Sequence, residues 1–266
     1  MPGGSEKDVV IKVRGLVNAF GDQVLHDHLD LDVYRGEVLG VVGGSGTGKS
    51  VLLRSIIGLN PIKSGTIEVF GRNTEHLNEA QWREIEMRWG VLFQEGALFS
   101  SQTIAENIQV PLREYLNMPQ ALMNEIASMK LSLVGLDESA ASKHPSELSG
   151  GMKKRAGLAR ALALDPAIVF FDEPSAGLDP ITSLKLDLLV KHIRDTLGTT
   201  IVIVSHELAS IFDLADRVVM LDAAARGIIA EGPPKELRDH SPDERVLEFL
   251  NRRAGPVQRQ QEPDNL

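Results

Sequence analysis

Lys49 and Ser50 close the run GGSGTGKS, Gly43 to Ser50, in a chain of 266 residues. Glycine, four residues and then Gly-Lys-Ser is the spacing of a phosphate-binding loop, and its surroundings are the required ones: VLGVV before it reads as a buried strand and VLLRSII after it as a helix. The small residues Gly43, Gly44, Ser45, Gly46, Thr47 and Gly48 let successive backbone N–H groups turn inward around an anion. The helix that follows presents its unpaired donors and positive end to the same charge. Lys49 is then a point charge for β- and γ-phosphates, and the Ser50 hydroxyl a ligand for Mg2+. A glycine-rich turn with a surface lysine would satisfy the bare pattern, but such a turn rarely falls between a buried strand and an apolar helix.

A metal beside the phosphates needs a carboxylate. AIVFFDEP places Asp172 directly after an apolar strand, where it can hold Mg2+ itself or through water, and Glu173 next to it, where it can orient and deprotonate an attacking water. Gln94 closes another strand and can bond the metal or its water, although a polar residue is also the ordinary end of a strand. His206 follows TTIVIVS at a further strand end, within reach of a γ-phosphate or of the water. LSGGM, Leu148 to Met152, repeats the recipe of small residues at a helix start, far downstream of the first loop. One nucleotide needs one such loop. The second therefore suggests that Ser149 and the backbone at Gly151 donate to the γ-phosphate of a nucleotide held by another subunit, so that ATP joins a dimer; a plain glycine-rich helix cap is the alternative.

Positioning these groups requires strands that end at one edge. Val9 to Leu16 alternates as a strand, NAFGDQ reads as a turn, and a second alternating run passes through Leu25, Leu29, Leu31 and Val33. His26 and His28 lie in that run without a third ligand at a metal spacing, so they read as ordinary strand or turn residues. Val38 to Val42 is a strand, the next helix ends near Gly58, and Ile67 to Phe70 is a short strand. Glu79 to Met87 reads as a helix and Trp89 to Phe93 as a strand. Ser100 to Val134 is mostly helical, interrupted at PLREYLNMP, with a core stripe through Leu122, Ile126, Met129, Leu133 and Val134. Strands over Ala167 to Phe171, Thr200 to Val204 and Arg217 to Leu221 alternate with helices over Ile181 to Leu197 and Glu207 to Leu214. RGIIAEG is hairpin-like, PPKELRDH and Pro242 to Arg252 are short helices, and the tail AGPVQRQQEPDNL is polar and reads as disordered. This alternation predicts a layered α/β domain with a mainly parallel core sheet.

Composition narrows the function. A net charge of -9, from 28 basic and 37 acidic residues, argues against a broad nucleic-acid-binding face. The absence of cysteine excludes disulfides, thiolate metal sites and cysteine nucleophiles. MPGGSEKDVV does not read as a signal peptide, and no stretch approaches the roughly 18 apolar residues needed to span a bilayer, so a cytoplasmic chain is expected.

Taken together, GGSGTGKS, Gln94, LSGGM, IVFFDE, AGLD at Ala176 to Asp179 and His206 resemble, in family order, the ATPase subunits of ATP-binding cassette (ABC) transporters. The resemblance implies an ABC-type domain over residues 1–240, with an antiparallel β part at its N-terminus and a helical subdomain at about 95–165, and a C-terminal helix and tail at 241–266. It implies the cofactors ATP and Mg2+, with Lys49, Gln94, Glu173 and His206 catalytic and Ser50, Gln94 and Asp172 around the metal, and it adds Gly150 to Ser149 and Gly151 in the role toward the second nucleotide. Phe20 falls where the family places an aromatic ring against adenine, and Met152 stands where the signature usually ends in glutamine. PSELSGGM, QEGALFSSQTIAENIQVPLRE and DEPSAGLDPI further resemble the Mla-type phospholipid transport systems of Gram-negative bacteria. That likeness implies an ATPase homodimer on the cytoplasmic face of the inner membrane, attached through an MlaE-like permease, with an MlaD-like substrate-binding protein and an MlaB-like STAS-domain protein. It also implies that the tail reaches the second ATPase subunit. An ABC ATPase for another substrate, a soluble ATPase acting on DNA or ribosomes, and a nucleotide-binding scaffold are the alternatives, the second disfavoured by charge and by the single nucleotide-binding domain.

Overall fold

The computed structural model describes residues 8–21 and 23–252; MPGGSEK and the tail, with the expectations placed on them, lie outside the described residues. β1 (Val9–Phe20) and β2 (Gln23–Tyr34) form an antiparallel hairpin. The strand runs through Asn18 to Phe20, where the sequence suggested a turn. The reason is that Asn18 is buried and its amide is satisfied within the fold, donating to Ser55 Oγ at 3.0 Å and facing His26 Nδ1 at 2.9 Å. The chain then reverses tightly at Gly21, whose φ of 57° lies in the left-handed region.

β3 (Val38–Gly43) leads into the glycine-rich loop and α1 (Lys49–Ile56). β4 (Ser64–Val69) pairs with β1 and with the two-residue β5 (Arg72–Asn73), completing a four-stranded antiparallel sheet in the order β2-β1-β4-β5. α2 (Glu79–Glu86), closed by a capping box between Asn78 and Gln81, precedes β6 (Trp89–Leu92). Next come α3 (Ile104–Tyr115), α4 (Gln120–Leu133) and α5 (Gly150–Ala161). β7 (Ile168–Asp172), α6 (Pro180–Leu197), β8 (Thr200–Val204), α7 (Leu208–Leu214) and β9 (Arg217–Asp222) complete the core, followed by β10 (Gly227–Gly232), α8 (Pro234–His240) and α9 (Glu244–Leu250).

The second sheet has the order β10-β9-β3-β8-β7-β6, parallel from β9 to β6 with β10 antiparallel at its edge. Its central strands are continuously apolar because both faces are covered. Alternation divides their side chains: Ile168 and Phe170 point into a core shared with α1 and the antiparallel sheet, while Val169 and Phe171 point into one shared with α3 to α7. The two cores hold this sheet between layers, so β3, β7 and β8 deliver their last residues to the same edge.

Two helical expectations are corrected. α3 continues through Pro111 to Tyr115, and the break falls at Leu116 to Pro119 instead. A proline inside a helix costs roughly 3 kcal/mol, but Ile104, Ile108 and Leu112 are fully buried on either side of it, and each such burial stabilises by about 1.5–3 kcal/mol. In α4 the buried face is Met123, Ala127 and Leu131, whereas Leu122 and Met129 are 44% and 68% exposed. This rotation also brings Lys130 to Asp165 at 2.5 Å, a contact that hydrophobic periodicity does not encode. Val134 is buried as expected, and Ile126 and Leu133 sit at the margin of the core.

Asp187 of α6 is buried and accepts a hydrogen bond from Ser210 of α7 at 2.7 Å. Burial pushes its pKa up to about 6; the Ser210 bond opposes this, and the Glu207 and Asp213 carboxylates add to the rise. A carboxyl raised in the folded state penalises folding once it must ionise, so this contribution to stability falls as pH rises from the unfolded value through about 6. Asp187→Asn is therefore expected to raise Tm by about 2–4 °C near pH 8, and the difference should shrink as the pH is lowered toward about 4.5, as read by thermal unfolding at a series of pH values.

Candidate active site

The loop from Gly43 to Gly48 bridges β3 and α1 with positive φ at Gly43 (146°), Gly46 (78°) and Gly48 (89°). At Gly48 a Cβ would be strained by that φ and would also overlap the His26 imidazole. His26 is fully buried beneath the loop, and burial pushes its pKa down, against a smaller contrary effect from the Thr47 backbone. Thr47 turns its hydroxyl back to donate to the Gly44 carbonyl at 3.0 Å.

Lys49 folds its ammonium across the loop, donating to the Gly43 and Gly44 carbonyls at 2.9 Å each. Burial lowers its pKa, and the Glu173 and Asp172 carboxylates pull it back up. The Ser50 hydroxyl donates to Asp172 Oδ1 at 2.6 Å, joining the start of α1 to the end of β7. Asp172 is 3% exposed, and Arg54 stands 3.6 Å from its other oxygen. A hydroxyl and a carboxylate are hard oxygen donors, and Mg2+ beside phosphates characteristically takes one or two such protein ligands. Among the described residues no group of three or more His, Cys, Asp or Glu gathers for a metal.

Glu173 leaves β7 with φ 52°, a region sparsely used by residues other than glycine, and its N–H donates to the Val204 carbonyl at 2.9 Å. Its Oε2 lies 2.8 Å from His206 Nδ1. The two groups, far apart in sequence, thus meet because β7 and β8 are neighbours ending at the same level.

A cavity of about 790 Å3 opens over these residues, and the loop glycines, Ser45, Lys49, Ser50, Gln94, Glu173 and His206 all line it. The volume is ample for a nucleoside triphosphate. Phe20 is 55% exposed on the hairpin and is not part of this lining, which instead includes Gln23, Leu25 and Phe249 of α9. Ser149, Gly150 and Gly151 also lie outside it. Ser149 caps α5, its hydroxyl accepting from the Met152 N–H at 3.3 Å, and the Met152 side chain packs against the helical core, so the thioether has a packing role. Sequence reasoning missed Phe249, His26 and the buried Lys154. The glycine at 48 was a usable signal that something presses on the loop from below; nothing local marked the other two.

The family model described as ABC transporter matches residues 26–176. The chain is 40% identical over 249 residues to the intermembrane phospholipid transport system ATP-binding protein MlaF of Haemophilus influenzae, covering 93% of each chain. It is 39% identical to MlaF of Escherichia coli, covering 93% of this chain and 91% of that one. It is also 41% identical to the probable ribonucleotide transport ATP-binding protein mkl of Mycobacterium leprae, covering 96% of this chain and 73% of the relative. Among solved structures, a dimeric post-hydrolysis ATP-binding cassette bound to ADP and Pi superposes with a TM-score of 0.76 at 27% identity, covering 84% of this chain and 98% of that one.

Gly48→Ala tests the loop geometry. It is expected to lower both Tm and ATP affinity, the strain at positive φ alone amounting to about 1–3 kcal/mol, as measured by calorimetric titration and thermal unfolding; wild-type affinity in the variant would show that the loop tolerates the methyl.

Proposed function

This chain belongs to the ABC transporter family and is an ATPase, and from that premise we propose that it powers phospholipid movement between the inner and outer membranes of a Gram-negative envelope, maintaining outer-membrane lipid asymmetry. What carries the lipid assignment is the 40% identity to an MlaF protein across nearly the whole of both chains. The similarly strong likeness to a probable ribonucleotide transport ATPase supports a second reading, in which the same engine serves another substrate.

In the proposed reaction the backbone donors of Gly43 to Gly48 and the Lys49 ammonium hold the β- and γ-phosphates of ATP, with Phe20 against the adenine. Ser50 and Asp172, with Gln94 beside them, would hold Mg2+, which would supply positive charge to the phosphates. Glu173 accepts a proton from water as the water oxygen attacks the γ-phosphorus and the bond to ADP breaks, while His206 orients Glu173 and the γ-phosphate side. The short Glu173 to His206 contact supports these paired roles. Ser149, Gly150 and Gly151 are left to meet the γ-phosphate of a second copy.

The proposed assembly is a homodimer, divided within each chain into the ABC domain at 1–240, its helical subdomain at about 95–165 and an interface element at 241–266. No helix among the described residues is long and apolar enough to cross a membrane. The proposal therefore places the chain peripherally on the cytoplasmic face of the inner membrane, through an MlaE-like permease near Gln94, together with MlaD-like and MlaB-like STAS-domain partners; nucleic acid is not among them.

Glu173→Gln is expected to lower ATP turnover by at least about 100-fold while preserving ATP-dependent pairing, measured by phosphate release and by light scattering. Cells relying on this variant should accumulate phospholipid in the outer leaflet of the outer membrane. An unchanged rate removes Glu173 as the base; lost turnover with a normal outer leaflet and impaired ribonucleotide uptake favours the second reading.

A further inference from the structure

Lys154 sits one turn inside α5, on the helix whose start carries Ser149, Gly150 and Gly151, and is only 6% exposed. Its ammonium donates to three backbone carbonyls of the segment leaving β7: Glu173 at 3.3 Å, Pro174 at 2.5 Å and Ala176 at 2.7 Å. An ammonium has three donors and no acceptor, so this cage of carbonyls uses its full capacity. Glu173 is also the residue held at φ 52°, a conformation that persists where its surroundings enforce it. Nearer the helix start, a Cβ on Gly151 would come within 2.5 Å of Thr182 Cγ2, so α5 lies close against the beginning of α6 there. The helix bearing that start and the turn that presents Glu173 are therefore fastened together through the Lys154 ammonium.

We propose that Lys154 is a positioning residue that ties the Ser149–Gly151 helix start to the backbone conformation of Glu173. Engagement of that helix start by the phosphate of a second subunit is thereby transmitted to the base of its own subunit. This rests on the assignment of Glu173 as base and on the paired assembly given above. Neutral side chains of similar length keep the packing but lose the cage: methionine removes all donors, and glutamine keeps two.

The test is steady-state ATP hydrolysis by the full chain in its permease complex. Lys154→Met is expected to lower kcat about 10- to 100-fold with KM for ATP within about threefold of wild type, because the base is displaced while the phosphate loop is untouched. Lys154→Gln should recover part of that loss, and Lys154→Met combined with Glu173→Gln should still pair on ATP addition. If Lys154→Met does not fold, Lys154→Gln is judged by the same split between kcat and KM. A kcat within about twofold of wild type, or a KM that rises in step with the loss of kcat, overturns the proposal. Glu173→Gln alone in the same assay separates the two claims: a wild-type rate there removes the base, whereas a lost rate there beside an unchanged Lys154 variant removes only the coupling.

Discussion

Two opposite charges are drawn almost wholly out of water at one edge of an apolar sheet, Asp172 at 3% exposure and Lys49 at 8%. A desolvated ion costs several kcal/mol unless its neighbours satisfy it. The Ser50 hydroxyl and Arg54 meet the Asp172 oxygens, and the Gly43 and Gly44 carbonyls meet the Lys49 ammonium. The partners all lie on the loop or on α1, which packs over β3, β8 and β7. The loop, the helix start and the end of β7 must therefore keep one register, or a buried charge is left alone. An incoming polyphosphate enters an arrangement already held for it, with the lysine and the Ser50 and Asp172 oxygens in place.

The groups proposed to react face a different constraint. Glu173 is largely covered while His206 is 67% exposed on its side chain, so the imidazole approaches the carboxylate from the solvent side of the cavity. A glutamate oriented only by its own rotamers would lose much of its effectiveness, since proton abstraction depends on geometry before basicity. Here the backbone is fixed twice, by the Val204 carbonyl and by the cage around Lys154, and the side chain once, by His206.

How far the sequence discloses this depends on the range of the interaction. The loop was legible because phosphate binding by backbone donors is local, and the acidic pair because two charges after five apolar residues have few structural explanations. Continuous apolar runs gave away β3, β7 and β8, hence the parallel sheet. The exact face of α4 was not legible: its apolar residues wrap more than one side, and packing against α3 and α5 chose Met123, Ala127 and Leu131 over Leu122 and Met129. Asn18 misled for a similar reason, since an asparagine in a turn and an asparagine satisfied inside a strand look alike until Ser55 and His26 are brought beside it. Phe249 comes from the last helix and reaches the cavity only through the return of the chain across β9 and β10, a closure no local pattern records.

The placement of α5 decides what ATP binding can accomplish. A ligand shifts a conformational equilibrium only by its difference in affinity between the two states. If every contact with the nucleotide came from the cavity of one chain, ATP would bind a separate and a paired subunit equally well and move nothing, however tightly it bound. In this fold the phosphate loop lines the cavity, while the second helix start bearing Ser149, Gly150 and Gly151 stands outside it. In the proposed pairing, contacts from that helix start to a neighbour's γ-phosphate exist only in the paired state, and they vanish when that phosphate is cleaved. On that proposal, the separation of the two helix starts within one chain is what allows hydrolysis to be converted into closure and release.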